Sequence, residues 1–212
     1  MDQCIEAGTT ALLSERTSAP PASASEARLL LDEVMERYAR GDDGALEEVY
    51  RLGAPRLRGF LARLCADVAL ADDLTQDAFL RIYHARGTFT KGASAVPWML
   101  AIARNAFRDH VRRERVRRDF QSSAVEDTHV YSTNTGDRAV MARQTLAVVQ
   151  RSLMKLPVRQ REAFVLLRFE GLSLAEAAEV FGATQAAVKI LAHRAYVVVR
   201  ASLDRHDKAD AR

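Results

Sequence analysis

Apolar residues along this chain recur at three- and four-residue intervals, and strand-like alternation is absent throughout, so the pattern predicts an all-α fold. Residues 1–25 mix Ser, Thr, Pro and Ala without periodicity and read as a disordered N-terminal tail. From Glu26 the spacing turns helical, with Leu29, Leu30, Val34 and Tyr38 on one face, until "RGDDG" interrupts it. Further helices are predicted over Ala45–Leu52, Pro55–Leu64, Val68–Ala85 and Val96–Arg118. The polar, acidic, turn-rich stretch 119–137 then reads as a flexible linker. A second helical unit begins near Arg138, runs to about Lys155, breaks at Leu156-Pro157 and resumes to Phe169, with Gly171 as the stop. The predicted organisation is therefore two small helical domains, 26–118 and 138–204, joined by a flexible linker, with a C-terminal tail over 205–212.

The second unit carries the first chemical signal. "SLAE" places Ser173 as N-cap and Glu176 three residues on, a capping box that opens a short helix ending at Gly182. Thr184 then caps a long helix that ends near Leu203. Two short-linked helices with a turn glycine mark a helix-turn-helix. Ala178 permits close approach, and Leu174, Phe181, Val188 and Leu191 supply its core. The second helix offers Gln185, Lys189 and His193, with Arg194 beside them, to base edges and phosphates. An ordinary helical hairpin with a solvated polar face is the plainer alternative.

The first unit is divided by charge. Arg104, Arg108, Arg112, Arg113, Arg115, Arg117 and Arg118 give one helix an excess of guanidinium only partly offset by Asp109 and Glu114, a footprint for phosphate backbones, with a solvated helix laced with internal ion pairs as the plainer alternative. Phe89, Trp98 and Phe107 lie near that charge. For Trp98 and Phe107 a core position is favoured, while stacking on unpaired bases stays open. On the preceding helix Val68, Ala71, Leu74, Ala78, Phe79, Ile82 and Tyr83 form an inward arc. Asp72, Asp73, Gln76, Asp77 and Leu80 occupy the rest, and a leucine among carboxylates suits a protein partner, with a merely solvated acidic face as the alternative.

Bulk composition narrows the field without deciding it. The 212 residues carry a formal charge of +3, which permits a nucleic-acid partner but does not demand one. Cys4 and Cys65 are too few for a disulfide framework and lack zinc-site spacing. There is no glycine-rich phosphate loop, nucleophile elbow or metal-ligand cluster, so no catalytic residue, cofactor, metal or small-molecule substrate is expected. The N-terminus lacks the charge and apolar core of a secretory signal, and no stretch suits a bilayer. A cytoplasmic protein without direct membrane insertion is the expectation.

Several separated segments, in order, resemble the extracytoplasmic-function group of bacterial RNA polymerase sigma factors. "DDLTQDAFLRIY" is similar to the segment that docks on the polymerase clamp helices. "WMLAIARNAFRDHVRR" is similar to the promoter-melting and −10 helix, with Trp98, Ala103, Arg104, Asn105, Asp109, Arg112 and Arg113 in the family's order. "LPVRQREAFVLLRFEGLSLAEAAEVFGATQAAVKILAHRA" resembles the −35-binding domain. The resemblance implies that Asp72, Asp73, Gln76, Asp77 and Leu80 bind core polymerase. It implies that Trp98, Arg104, Asn105, Asp109, Arg112 and Arg113 hold the −10 element, where a base is flipped out and captured. Thr184, Gln185, Lys189, His193 and Arg194 then read the −35 element, and the linker threads toward the active-site and RNA-exit region. Promoter DNA, core RNA polymerase and an anti-sigma factor are the implied partners.

The chain also departs from the family. Ala186-Ala187 stands where Gly-Thr is common and Ile190-Leu191 where Ser-Arg is common, removing a hydroxyl and a positive charge and predicting a weaker or altered −35 grip. Before Trp98, "GASAVP" replaces a more polar and aromatic loop, with Ala95 where Phe is common. Two other readings compete: a stand-alone helix-turn-helix regulator, and a sigma-like interaction protein without promoter activity. The acidic patch argues against the first, and the altered recognition helix is the best argument for the second.

Overall fold

The computed structural model describes the backbone of residues 22–120 and 137–210, which holds helices and no strand. Cys4 and residues 121–136, most of the expected linker 119–137, lie outside the described residues, whereas 119–120 and 137 belong to the flanking helices. Helix α1 (Ala22–Ala39) starts before the expected Glu26. Ala and Glu are strong helix formers, so the Ser-Ala stretch that looks tail-like in composition joins the helix directly after Pro20-Pro21. Of its leucines only Leu31 is in phase with Val34, Met35 and Tyr38 and buried with them, whereas Leu29 and Leu30, expected on the inner face, are exposed.

Helix α2 (Ala45–Cys65) is continuous through Pro55, where the sequence predicted two helices. Proline removes one ladder bond and crowds the carbonyl four residues back, at a cost of about 3 kcal/mol. Burial of Val49, Leu57, Phe60, Leu61 and Leu64 along one face offsets it. Gly53 on that face allows close packing, since a Cβ there would meet Met99 Cε at 2.5 Å. Helix α3 spans Val68–Ala85 as expected, capped by Asp67, whose carboxylate accepts the Leu70 N–H at 3.1 Å. Cys65 is half-buried beside this junction, and burial pushes its thiol up. A short 3-10 turn (Arg86–Thr88) leads to the basic helix α4 (Ala95–Phe120).

The second unit comprises α5 (Asp137–Met154), α6 (Val158–Arg168), α7 (Leu174–Phe181) and α8 (Gln185–Asp210). Its local grammar is as predicted. Ser173 Oγ accepts the Glu176 N–H at 3.2 Å, while the Glu176 carboxylate accepts the Ser173 N–H at 2.7 Å. Gly182 takes the left-handed conformation at φ +60°, and Thr184 Oγ1 accepts the Ala187 N–H at 3.2 Å. Val188 is buried against Ala177, Ala178, Val180 and Phe181, while Leu174 and Leu191 are half-buried at the margin of this core. Helix α8 continues past the expected Leu203 to Asp210.

The two units do not sit apart. One hydrophobic core runs through both, with α7 packed on α4 and α6 packed on α2. Polar contacts across the seam mostly join an arginine to a carboxylate or carbonyl on the other side. Arg56 Nε donates to Glu170 at 3.1 Å, Arg28 pairs with Glu176 at 2.5 Å, and Arg161 donates to the Leu64 carbonyl. Gln150 adds a bond to the Arg63 carbonyl at 3.1 Å.

A candidate polymerase and promoter interface

The acidic helix α3 places its predicted residues outward in two classes. Asp73, Gln76 and Leu80 are exposed, and Leu80 keeps 63% of its surface in solvent. Asp72 and Asp77 are half-buried and paired, Asp72 with Arg58 at 3.2 Å and Asp77 with Arg81 at 3.0 Å. The Arg58 hydrogen bond holds the Asp72 carboxyl below its usual range. Val68 and Tyr83 depart from the expected inward arc, and Tyr83 is 47% exposed. Their place is taken by Thr75, which is buried because its hydroxyl donates back to the Ala71 carbonyl at 2.6 Å. Leu80 therefore has apolar company: Tyr83 lies one turn beyond it, with the Arg86 guanidinium 5.4 Å from its ring centre.

Arg81, which the sequence reading left out, forms the boundary between the acidic and basic faces. It reaches Asp77 on its own helix and Asp109 on α4 at 2.8 Å, tying the two helices together. Asp109 also accepts from Arg112 at 3.0 Å, and Arg113 Nε donates to the Asp109 carbonyl at 3.3 Å. The Arg81 hydrogen bond is the main reason the Asp109 carboxyl titrates below its ordinary range. The structure thus makes Asp109 an organiser of the arginine row. A charge alternation at four-residue spacing, Asp77 to Arg81, was the signal available for Arg81.

On α4 itself, Asn105, Arg108, Arg112, Arg113, Arg115 and Arg117 are exposed. Trp98 is half-buried and meets Phe89 edge-on, ring centres 5.4 Å apart, while Phe89 and Phe107 belong to the core. Arg104 is not on this surface. It is 2% exposed, with Nε donating to Glu162 at 3.0 Å, Nη1 donating to the Val180 carbonyl at 3.2 Å, and its guanidinium 4.2 Å from the Phe181 ring centre. Sequence periodicity counts Arg104 with the arginine row. Its burial depends on a carboxylate 58 residues away in the other unit, which no local pattern announces.

This contact is tight but imperfect. Glu162 is fully buried, and both its Oε1 and Arg104 Nη2 lack a hydrogen-bond partner among the described residues. Burial pushes the Glu162 carboxyl up, against the opposing pull of Arg104, and lowers Arg104. Desolvating two charges can cost as much as their attraction returns, so the pair adds little net stability even though breaking it leaves an uncompensated buried charge. Glu170, between Arg56 and Arg63, is buried in the same seam and likewise pushed up by burial.

Helix α8 presents a contrasting surface. Gln185, Lys189, His193 and Arg194, with Thr184 at the helix start, are all exposed. Among the described residues, no group of His, Cys, Asp and Glu side chains is arranged to hold a metal ion, and no helix is long and apolar enough to cross a membrane.

Comparison with known proteins agrees with both halves. Residues 49–117 match the Sigma-70 region 2 family and residues 146–197 the Sigma-70 region 4 family. RNA polymerase sigma factor CarQ of Myxococcus xanthus is 35% identical over 166 residues, covering 78% of this chain and 93% of that protein. ECF RNA polymerase sigma factor SigF of Caulobacter vibrioides is 32% identical over 181 residues, covering 85% and 96% respectively. Among solved structures, the sigma factor RpoE of Bartonella quintana, crystallised with the anti-sigma factor NepR, is similar with a TM-score of 0.65 and 26% identity, over 74% of this chain and 96% of that one. The matched segments contain the acidic helix, the arginine row and the helix-turn-helix derived above, and this chain belongs to the extracytoplasmic-function group of RNA polymerase sigma factors.

Proposed function

We propose that α3 docks on the clamp helices of core RNA polymerase through Asp73, Gln76 and Leu80, with Asp72 and Asp77 at the margin. The arginine row of α4 then holds the −10 element and α8 reads the −35 element. In this reading the −10 and −35 units are residues 22–120 and 137–210, a few helical residues longer at each end than the expected 26–118 and 138–204, and residues 121–136 join them. The observation that carries the assignment is the pairing of an acidic, apolar face with a basic one on adjoining helices, divided at Arg81. A stand-alone operator-binding regulator has no use for the first face. Phosphodiester synthesis belongs to the polymerase, so the chain contributes binding and specificity rather than catalysis, and its work lies in the cytoplasm. An anti-sigma factor is the proposed regulator.

Arg104 gives this function a conformational requirement. For its guanidinium to reach promoter DNA, α7 must leave α4 and the Arg104–Glu162 pair must part. The described arrangement is a closed form, and initiation uses an open one. Run-off transcription with purified core polymerase over genomic fragments tests the main reading. Promoter-dependent transcripts are expected, and Asp73→Arg or Leu80→Arg should weaken core binding while sparing DNA contacts. Tight DNA binding without any transcript would sink the sigma-factor role, and unchanged core affinity in both variants would remove α3 from the polymerase face.

A further inference from the structure

The polar residues assigned to base reading are not at the centre of the outward face of α8. The helix buries Val188, Ala192, Ala195 and Val199. At about 100° per residue, the direction opposite that buried stripe belongs to Ala186, Ile190 and Val197, with His193 and Arg194 to either side and Gln185 and Lys189 toward one flank. Ile190 is 53% exposed. It stands in the second turn of α8, within the N-terminal part of a recognition helix that contacts base edges, whereas Val197 lies two turns further along.

An isoleucine on a helix is held to essentially one χ1 rotamer, so Ile190 is a stiff apolar probe at the point of closest approach. Ala186, one turn earlier and also exposed, adds a methyl group and leaves room for that approach. The major groove offers donors, acceptors and one apolar group, the C5-methyl of thymine. We propose that Ile190, with Ala186 beside it, is a specificity-determining residue that reads a thymine methyl group in the −35 element. The substitutions that remove a hydroxyl and a charge from this helix then replace one kind of readout with another. This inference rests on the assignment of α8 to the −35 element.

The test uses the full-length protein with core polymerase on a promoter recovered by run-off transcription, with each −35 thymine replaced in turn by deoxyuridine, which lacks only the methyl. One position, or two adjacent ones, should lose about fourfold in affinity, the scale of one buried methyl group. Ile190→Ala should lose a similar factor on the natural DNA and become indifferent to deoxyuridine at that position. The proposal is overturned if no replacement alters binding, or if Ile190→Ala keeps the deoxyuridine response. Indifference to deoxyuridine combined with weakened capture of a protein partner by Ile190→Ala also overturns it and gives the outward face of α8 to that partner. Scrambling the whole −35 element separates the two levels: if that leaves binding unchanged, the assignment of α8 itself fails.

Discussion

The two helices assigned to DNA are exposed to different degrees. Helix α8 shows its whole outward face to solvent, whereas α4 shows its arginine row but has Arg104 drawn inward under α7. The difference lies in what each unit does with its neighbour. The second unit covers α4 with the back of its helix-turn-helix, leaving the reading side of that motif free. On the proposed assignment, this packing leaves one DNA surface available and the other incomplete, and the expected order of promoter contacts is −35 first, then the full −10 grip once the units part.

Removing Glu162 is the severest challenge to that contrast. Glu162→Ala leaves a buried guanidinium without its partner, which costs roughly 3–5 kcal/mol of the closed arrangement. Fluorescence energy transfer between dyes on the two units should report separation in the free protein, with DNA affinity of α4 rising and that of α8 unchanged. An unaltered distance would show that Arg104 and Glu162 are not what holds α7 on α4. The complementary change, Arg112→Ala or Arg113→Ala, should weaken promoter complexes and lower the salt slope by about 0.9 per lost phosphate contact. A slope equal to that of the parent would take these arginines off the DNA face.

Smaller effects sharpen the comparison further. Glu162 and Glu170 have carboxyl groups raised by burial in the closed form, so closing takes up protons. A raised acid favours the form that buries it at low pH and loses that advantage as pH climbs from the ordinary carboxylate range through the raised value. Acidification should therefore increase energy transfer in the parent, and less so in Glu162→Gln; the opposite trend would remove both carboxylates from the switch. Arg28→Ala should shift closure least, by about 1 kcal/mol or less, because its pair with Glu176 is partly solvated.

Legibility in the sequence follows the range of the interactions involved. Helix α3, the capping box at Ser173 and the turn at Gly182 are set by neighbours within four residues, and they stand where periodicity and cap chemistry place them. Pro55 misleads because its local penalty is visible while the buried face that offsets it is not. Tyr83 and Val68 exchange their expected place with Thr75, whose hydroxyl is satisfied by its own helix and so does not mark the position as exposed. Arg104 is the extreme case: four turns of arginine pattern give no hint of a partner beyond the linker. Ile190 is visible as a departure from the family, yet its importance depends on knowing which residues α8 buries.

Glu176 divides its carboxylate between two tasks. One oxygen accepts the Ser173 N–H and starts α7, and the other takes Arg28 from the first unit. Only the second bond crosses the seam. When the units part, the start of α7 keeps its cap, and the helix-turn-helix leaves as a finished body with its internal bonding intact. If the proposed opening occurs, this division makes it an undocking rather than a local melting, reversible without refolding, and a regulator that drove it would have to outcompete a surface, not unravel a domain.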